Sequence, residues 1–256
     1  MLLALDIGNS TITAGVFSAD KLIARWVFQT VRQKTADEIG SLLRQFFSNS
    51  DLDFRRVSAV FISSVVTELD FAIRRMTETY FGLQPIFLDH RFDFGLGLDY
   101  QPPSGIGADR LVAAFAAVEK YGFPCIVCDF GTATTIDYVD SEKVFRGGII
   151  TPGMRTLSDS LFEKTSKLPR TEISRPEKVI ANSTLGSIRS GVYFGYIGLV
   201  DGIIRRMLKE TKETPPIIST GGLAKLIAEA SELVEIIEED LLLEGLRLAF
   251  ERDNGK

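Results

Sequence analysis

The chain of 256 residues has one histidine, two cysteines and one tryptophan. A lone His90 gives no basis for a zinc site or a histidine-assisted nucleophile, and it falls in a loop. Cys125 and Cys128 form a single C-x-x-C inside the apolar run "PCIVCDF". That run reads as a buried strand, where positions i and i+3 point to opposite faces. With no second cysteine pair, packing is favoured over a metal or redox role. No run reaches the roughly 18 apolar residues of a membrane span. The longest, "VYFGYIGLV", stops at Asp201. "MLLAL" is too short for a signal segment, lacks a basic start and meets Asp6 at once. A cytoplasmic location is therefore expected, with no membrane partner. Positive charge is not in excess either: 29 Lys and Arg face 34 Asp and Glu, a net charge of −5. That argues against a sequence-independent grip on nucleic acid. There is no Walker A sequence, and "GLG" at 95–97 lacks the third glycine and following helix of a dinucleotide fingerprint. "HRFDFG" (90–95) and "DFG" (129–131) look like protein-kinase fragments. The Gly-rich loop, V-A-I-K strand and H-R-D-L-x-x-x-N loop that should accompany them are missing.

What remains is an ordinary globular balance, 45% hydrophobic and 25% charged, long enough for one large domain or two smaller cores. "LLALDI", "TITAGVFS" and "KLIARWVFQT" read as three strands joined by tight turns. "TADEIGSLLRQFF" has helical spacing and a start that resembles a capping box. "VSAVFISSV" reads as a strand, "ELDFAIRRMTETYFG" as a helix ending at Gly82, and "QPIFLD" as a short strand. A Gly- and Pro-rich segment, "RFDFGLGLDYQPPSGIG", follows and is a candidate functional loop. After the helix "ADRLVAAFAAVEKYG" the strand pattern restarts with "CIVCDF", "TTIDYV" and "KVFRGGII". Two or three helices follow, one of them long across 183–210, then "PPIIST", the helix "GGLAKLIAEA", the strand "LVEII" and a helical end. In the long helix Val192, Tyr193, Ile197, Val200 and Ile204 recur at the spacing of a core-facing stripe. The chain thus reads as an α/β protein built from two similar halves, with mixed sheets flanked by helices. The division is expected near residues 115–122, giving halves 1–118 and 119–256.

The repeat is sharpest in two short stretches. "DIGNSTIT" (6–13) and "DFGTATTID" (129–137) both read Asp-x-Gly with a Thr five positions after the Asp. Asp6 aligns with Asp129, Gly8 with Gly131, Thr11 with Thr134. An apolar strand delivers the carboxylate to its end, glycine lets the chain turn, and the next residues offer N–H and OH donors. Such a turn can hold a phosphate on its backbone while the carboxylate faces a metal carried by that phosphate. One Asp-Gly turn is an ordinary hairpin; two copies, each after a buried strand, are harder to dismiss. The second copy offers Thr132, Thr134 and Thr135 as hydroxyls. "STGG" (219–222) closes a strand and opens a helix, a place where a nucleotide can approach the backbone.

Asp109 falls in the first turn of a helix, behind a loop that can shape a pocket. Phosphoryl transfer asks mainly for positioning, charge neutralisation and a carboxylate that orients or deprotonates the hydroxyl. The helix N-terminus favours the ionised form of Asp109, keeping it an acceptor but a weak base. Arg110 is suited to a carboxylate or phosphate oxygen. Simple helix capping is the plain alternative for Asp109.

Taken together, "DIGNSTITAGVF", "SSVV" (63–66), "PPSGIGADRLVAAFAA", "DFGTATTID", "GGIITPGM" and "STGGLA" resemble the type III pantothenate kinases, within the superfamily of acetate and sugar kinases, heat-shock ATPases and actin. The segments run from residue 6 to residue 224. The resemblance implies two ribonuclease H-like halves in a duplicated actin-like ATPase fold. It implies ATP-dependent phosphorylation of pantothenate, the first step toward coenzyme A. It makes Asp109 the catalytic base, with Tyr100, Gly107, Ala108, Asp109 and Arg110 against pantothenate. It gives the ATP phosphates to Asp6, Ile7, Gly8, Asn9, Ser10, Thr11, Ile12 and Thr13, with Asp6 near magnesium and Thr132 on the nucleotide. It gives Asp129 to a monovalent cation, potassium or ammonium. It implies a homodimer in which Thr184 lines the pantothenate site of the partner. The chain departs from the family pattern at Ser10 (usually Thr), Thr67 (usually Pro), and Ala181 and Ser183 (usually Gly and Asn). The competing readings are a non-catalytic nucleotide-binding regulatory protein and a kinase for another small hydroxy acid or sugar.

Overall fold

Five of the six residues of β1 (Leu2–Ile7) are buried and apolar, the pattern of a central strand covered on both faces. The structure, a computed structural model, describes residues 1–255. β1 is followed by β2 (Thr11–Ser18), β3 (Lys21–Gln29), α1 (Ala36–Asn49), β4 (Ala59–Ser64), α2 (Thr67–Phe81) and β5 (Ile86–Phe87). Thr35 and Glu38 close a full capping box at the start of α1, and Gly82, at φ +67°, terminates α2 in the left-handed region that glycine enters freely. β6 (Gly97–Leu98), α3 (Ala108–Tyr121), β7 (Cys125–Phe130), β8 (Ala133–Val139), β9 (Val144–Pro152), α4 (Met154–Lys164) and α5 (Thr184–Thr211) come next. β10 (Ile217–Thr220), α6 (Ala224–Ala228), β11 (Ile236–Ile237) and α7 (Leu241–Asn254) complete the chain.

The strands form two mixed sheets. The first has the order β3-β2-β1-β4-β5, the second β11-β10-β7-β8-β9-β6. In each, three consecutive strands run antiparallel and the next two lie parallel to the first of them. The second sheet therefore repeats the first and adds β6 beside β9. β6 is a two-residue strand inside the segment expected to be an irregular loop; its Gly97 N–H donates to the Lys143 carbonyl.

The chain packs into two units. One comprises residues 1–96, 100–116 and the stretch from Asp240 onward; the other comprises 97–99 and 117–239. The expected division at residue 118 differs from this grouping at residues 97–99, at the stretch from Asp240 onward and at residues 117–118. The reason for the second is packing. In the first unit α1 and α2 bury Ile39, Leu43, Phe47, Leu69, Ile73 and Met76 on one face of the sheet. The other face is covered by α7: Leu243 lies over Gly15, and Phe250 meets Phe61 edge-on at 5.5 Å. Gly245 lets α7 approach Val112 and Ala116 of α3. In the second unit Tyr193, Tyr196, Val200 and Ile204 of α5 pack on Cys128, Phe130 and Ile136. Cys125 and Cys128 are buried free thiols, and burial pushes the Cys125 thiol up to about 12, which fits packing and not chemistry. Among the described residues no helix is long and apolar enough to cross a membrane.

Candidate active site

The first Asp-x-Gly turn is pinned from Thr30, the residue just past β3. The Gly8 N–H donates to the Thr11 carbonyl at 3.0 Å, the Thr30 hydroxyl donates to the Gly8 carbonyl at 2.7 Å, and the Thr30 N–H donates to the Ser10 carbonyl at 3.0 Å. Asn9, Ser10 and Thr11 are exposed, whereas Ile7 and Ile12 are in the core. Only the backbone of those two isoleucines can face a ligand. Asp6 stands opposite Thr13 on β2 and beside Ser63 on β4. Arg32, unmarked by any motif, bonds the Asn9 side chain at 3.3 Å and Glu68 at 3.1 Å.

The second turn is built differently from its sequence echo. Asp129 pairs with Thr135 and Phe130 with Thr134, so three residues, 131–133, make the turn. In the first copy Asp6 pairs with Thr13 and Ile7 with Ile12, leaving four. The alignment of Thr11 with Thr134 is thus corrected: Thr134 occupies the place of the core residue Ile12. Its hydroxyl is fully buried and hydrogen-bonded to the Tyr196 hydroxyl, not offered to a ligand. Thr132 is exposed. Its carbonyl accepts from the Gly153 N–H at 2.9 Å and from the Thr156 hydroxyl at 2.6 Å. A side chain at Gly153 would strike the carbonyls of Gly131 and Thr132, which accounts for glycine in "ITPGM".

The third cluster sits where α3 begins. The Asp109 carboxylate accepts from the Arg110 N–H at 2.8 Å. The Arg110 guanidinium donates to the Tyr100 hydroxyl at 3.3 Å and lies over its ring, 5.5 Å from the centroid. Arg110 is only 5% exposed, a burial that a charged side chain tolerates only when it is paired and hydrogen-bonded. Any side chain at Gly107 would collide with the Asp109 carboxylate. Tyr100, Gly107, Ala108, Asp109 and Arg110 therefore come together in the first unit. Burial pushes the Asp109 carboxyl above the usual carboxylate range; the Arg110 N–H and the Arg110 charge pull it down by less. The expectation that the helix terminus would dominate is reversed, because desolvation penalises the charged form more strongly. Asp109 is thereby a stronger base than an exposed aspartate. Thr184 opens α5 in the second unit, exposed, one residue after the capping Ser183.

The family model for type III pantothenate kinase matches residues 2–206. The chain belongs to the type III pantothenate kinase family. A type III pantothenate kinase from Bacillus cytotoxicus is 42% identical over 253 residues, covering 99% of this chain and 97% of the relative. Among solved structures, a protein described as a Baf family transcriptional activator from Campylobacter jejuni superposes with a TM-score of 0.61 at 20% identity, covering 99% of this chain and 100% of that one. A ROK hexokinase from Thermus thermophilus gives 0.53 at 13% identity, covering 100% and 99%. Those two likenesses show the fold alone, the duplicated actin-like ATPase fold. Two departures from the family pattern have local explanations. Thr67 is the first residue of α2, where proline's fixed φ fits but is not required. Ser183 caps α5 through a bond from the Gly186 N–H at 3.2 Å, the service asparagine would give.

Proposed function

We propose that the protein transfers the γ-phosphoryl group of ATP to the primary hydroxyl of pantothenate, giving 4'-phosphopantothenate at the first step of coenzyme A synthesis. The observation that carries this reading is the cluster of Tyr100, Gly107, Asp109 and buried Arg110 in a chain of this family. Asp109 accepts the hydroxyl proton as the oxygen–phosphorus bond forms and the bond from the γ-phosphorus to the bridging oxygen breaks. The raised basicity of the buried carboxyl supports that role. Arg110 holds the pantothenate carboxylate, and Tyr100, Gly107 and Ala108 complete its seat.

The backbone and hydroxyls of residues 6–13 bind the ATP phosphates, and Thr132 contacts the nucleotide. Among the described residues no three His, Cys, Asp or Glu side chains gather as a metal cage. That fits a magnesium ion brought in by phosphate and met by one carboxylate, Asp6. The ion would neutralise charge on the transferring group. Asp129 holds a monovalent cation, potassium or ammonium. Two copies of the chain pair, with Thr184 reaching the partner's pantothenate. Support comes from α5, where Gly191, Gly195 and Gly198 are exposed on one face and a side chain there would meet no described atom within 4 Å. Glycine weakens a helix by about 1 kcal/mol per residue against alanine, so such a face suits close approach of a second helix. Nearby Val179, Ile180 and Leu185 are also exposed.

The test is the identity of the product. Incubation with ATP, magnesium, potassium and a panel of small hydroxy acids and sugars, read by mass spectrometry, is expected to yield phosphopantothenate. Faster turnover of another hydroxy compound overturns the substrate assignment.

A further inference from the structure

Each sheet carries a pair of adjacent hydroxyl residues at the end of the strand beside its Asp-x-Gly aspartate. In the second unit these are Ser219 and Thr220. Ser219 is satisfied: its hydroxyl donates to the Ile236 carbonyl at 2.8 Å. Thr220 is 1% exposed, and its hydroxyl finds no hydrogen-bond partner among the described residues. Thr220 lies in parallel register with Asp129, so the two side chains leave the sheet on the same face, about 4.8 Å apart along the ladder. The next residue, Gly221, has φ +89°, and a side chain there would sit 2.5 Å from the Asp129 Oδ1. Glycine thereby lets the chain pass close to the carboxylate and to the Phe130 backbone.

The first unit repeats this arrangement. Ser64 donates to Asp70 at 2.6 Å. Its neighbour Ser63 is fully buried, without a hydrogen-bond partner among the described residues, and in register with Asp6. In both sheets one hydroxyl is satisfied and the other, beside the aspartate, is not. A buried unpaired hydroxyl is unfavourable and calls for a partner.

We infer that Thr220 supplies its hydroxyl oxygen as a ligand to the monovalent cation at Asp129. The inference rests on the reading of Asp129 as a cation site. Hard cations take neutral oxygen donors beside a carboxylate. A hydroxyl keeps lone pairs for the ion, which a methyl group in the same volume does not.

The test compares wild type with Thr220→Val, Thr220→Ala, Thr220→Ser and Asp129→Asn. Two quantities are read: the melting-temperature rise when potassium chloride replaces choline chloride at constant ionic strength, and the potassium concentration at half-maximal ADP release. Wild type and Thr220→Ser are expected to respond alike. Thr220→Val and Thr220→Ala are expected to lose the melting response and to need about tenfold more potassium or beyond. Without potassium Thr220→Val is expected to melt at or above wild type, since no native hydrogen bond is removed. Wild-type potassium responses in both hydroxyl-free variants overturn the inference, while loss in Asp129→Asn alone keeps the cation reading. Absence of any potassium response in wild type overturns both.

Discussion

Replacing Gly107 by alanine is expected to cripple turnover while leaving the protein folded. Gly107 does not have positive φ, so alanine adopts its backbone conformation without strain. The added methyl meets two groups. Val65 Cγ1, at 3.6 Å, is an ordinary contact, but the Asp109 carboxylate lies inside van der Waals distance. A carboxylate at the end of a rotatable side chain yields more easily than backbone, so it must retreat by roughly 1 Å. The off-rotamer strain is about 1 kcal/mol. A base displaced by that distance loses on the order of 100-fold in rate, which is about 2.7 kcal/mol of transition-state stabilisation. Steady-state kinetics with pantothenate as the varied substrate, together with thermal melting, measures both effects. A kcat within about threefold of wild type refutes the placement of Asp109 against the reacting hydroxyl. A collapse of melting temperature refutes the claim that the backbone accepts alanine.

Asp109→Asn is expected to lower kcat by about 100-fold to 10,000-fold while ATP affinity, measured by calorimetry, stays near wild type. In the wild type, kcat/KM is expected to fall on the acid side through an apparent pKa above the ordinary aspartate value, because burial raises this carboxyl; an acid limb at the ordinary value refutes that. The same shift fixes a sign for stability. The native state binds this proton more tightly than the unfolded chain, so stability falls as pH rises between the ordinary value and the raised one. Asp109→Asn is expected to remove that fall in melts run across the acid range. Thr134→Val leaves the buried Tyr196 hydroxyl without its partner and is expected to cost about 1–3 kcal/mol in urea unfolding. Thr134→Val with Tyr196→Phe is expected to recover most of it, and strict additivity of the two losses would contradict a direct bond.

Local signals in the sequence went far. The capping box at Thr35, the stop at Gly82 and the apolar strands before Asp6 and Asp129 each depend on a few neighbouring residues, and each was readable. The grouping of Tyr100 with Arg110 was accessible only through resemblance to a family, since nine residues, a Pro/Gly loop among them, separate the two. Features set by distant pairing were not legible. α7 returns to cover the first sheet although it follows the second in the chain. The shared spacing of five between Asp and Thr hid a one-residue difference in turn length, which sends Thr134 into the core. The burial that raises Asp109 outweighs the helix-terminus effect that its sequence position suggested. Ser63 and Thr220 became notable only once the parallel register set them beside the two aspartates. Thr30 and Arg32 reach the first turn from the segment after β3, with nothing in their own neighbourhood to mark them.

The proposed reaction of this chain is phosphorylation of pantothenate by ATP. Coupled measurement of ADP release by the purified protein, with and without pantothenate and potassium, tests it most directly. Rapid ADP release is expected only when pantothenate, magnesium and potassium are all present, in step with phosphopantothenate formed. ADP release that is absent, or indifferent to pantothenate, contradicts it.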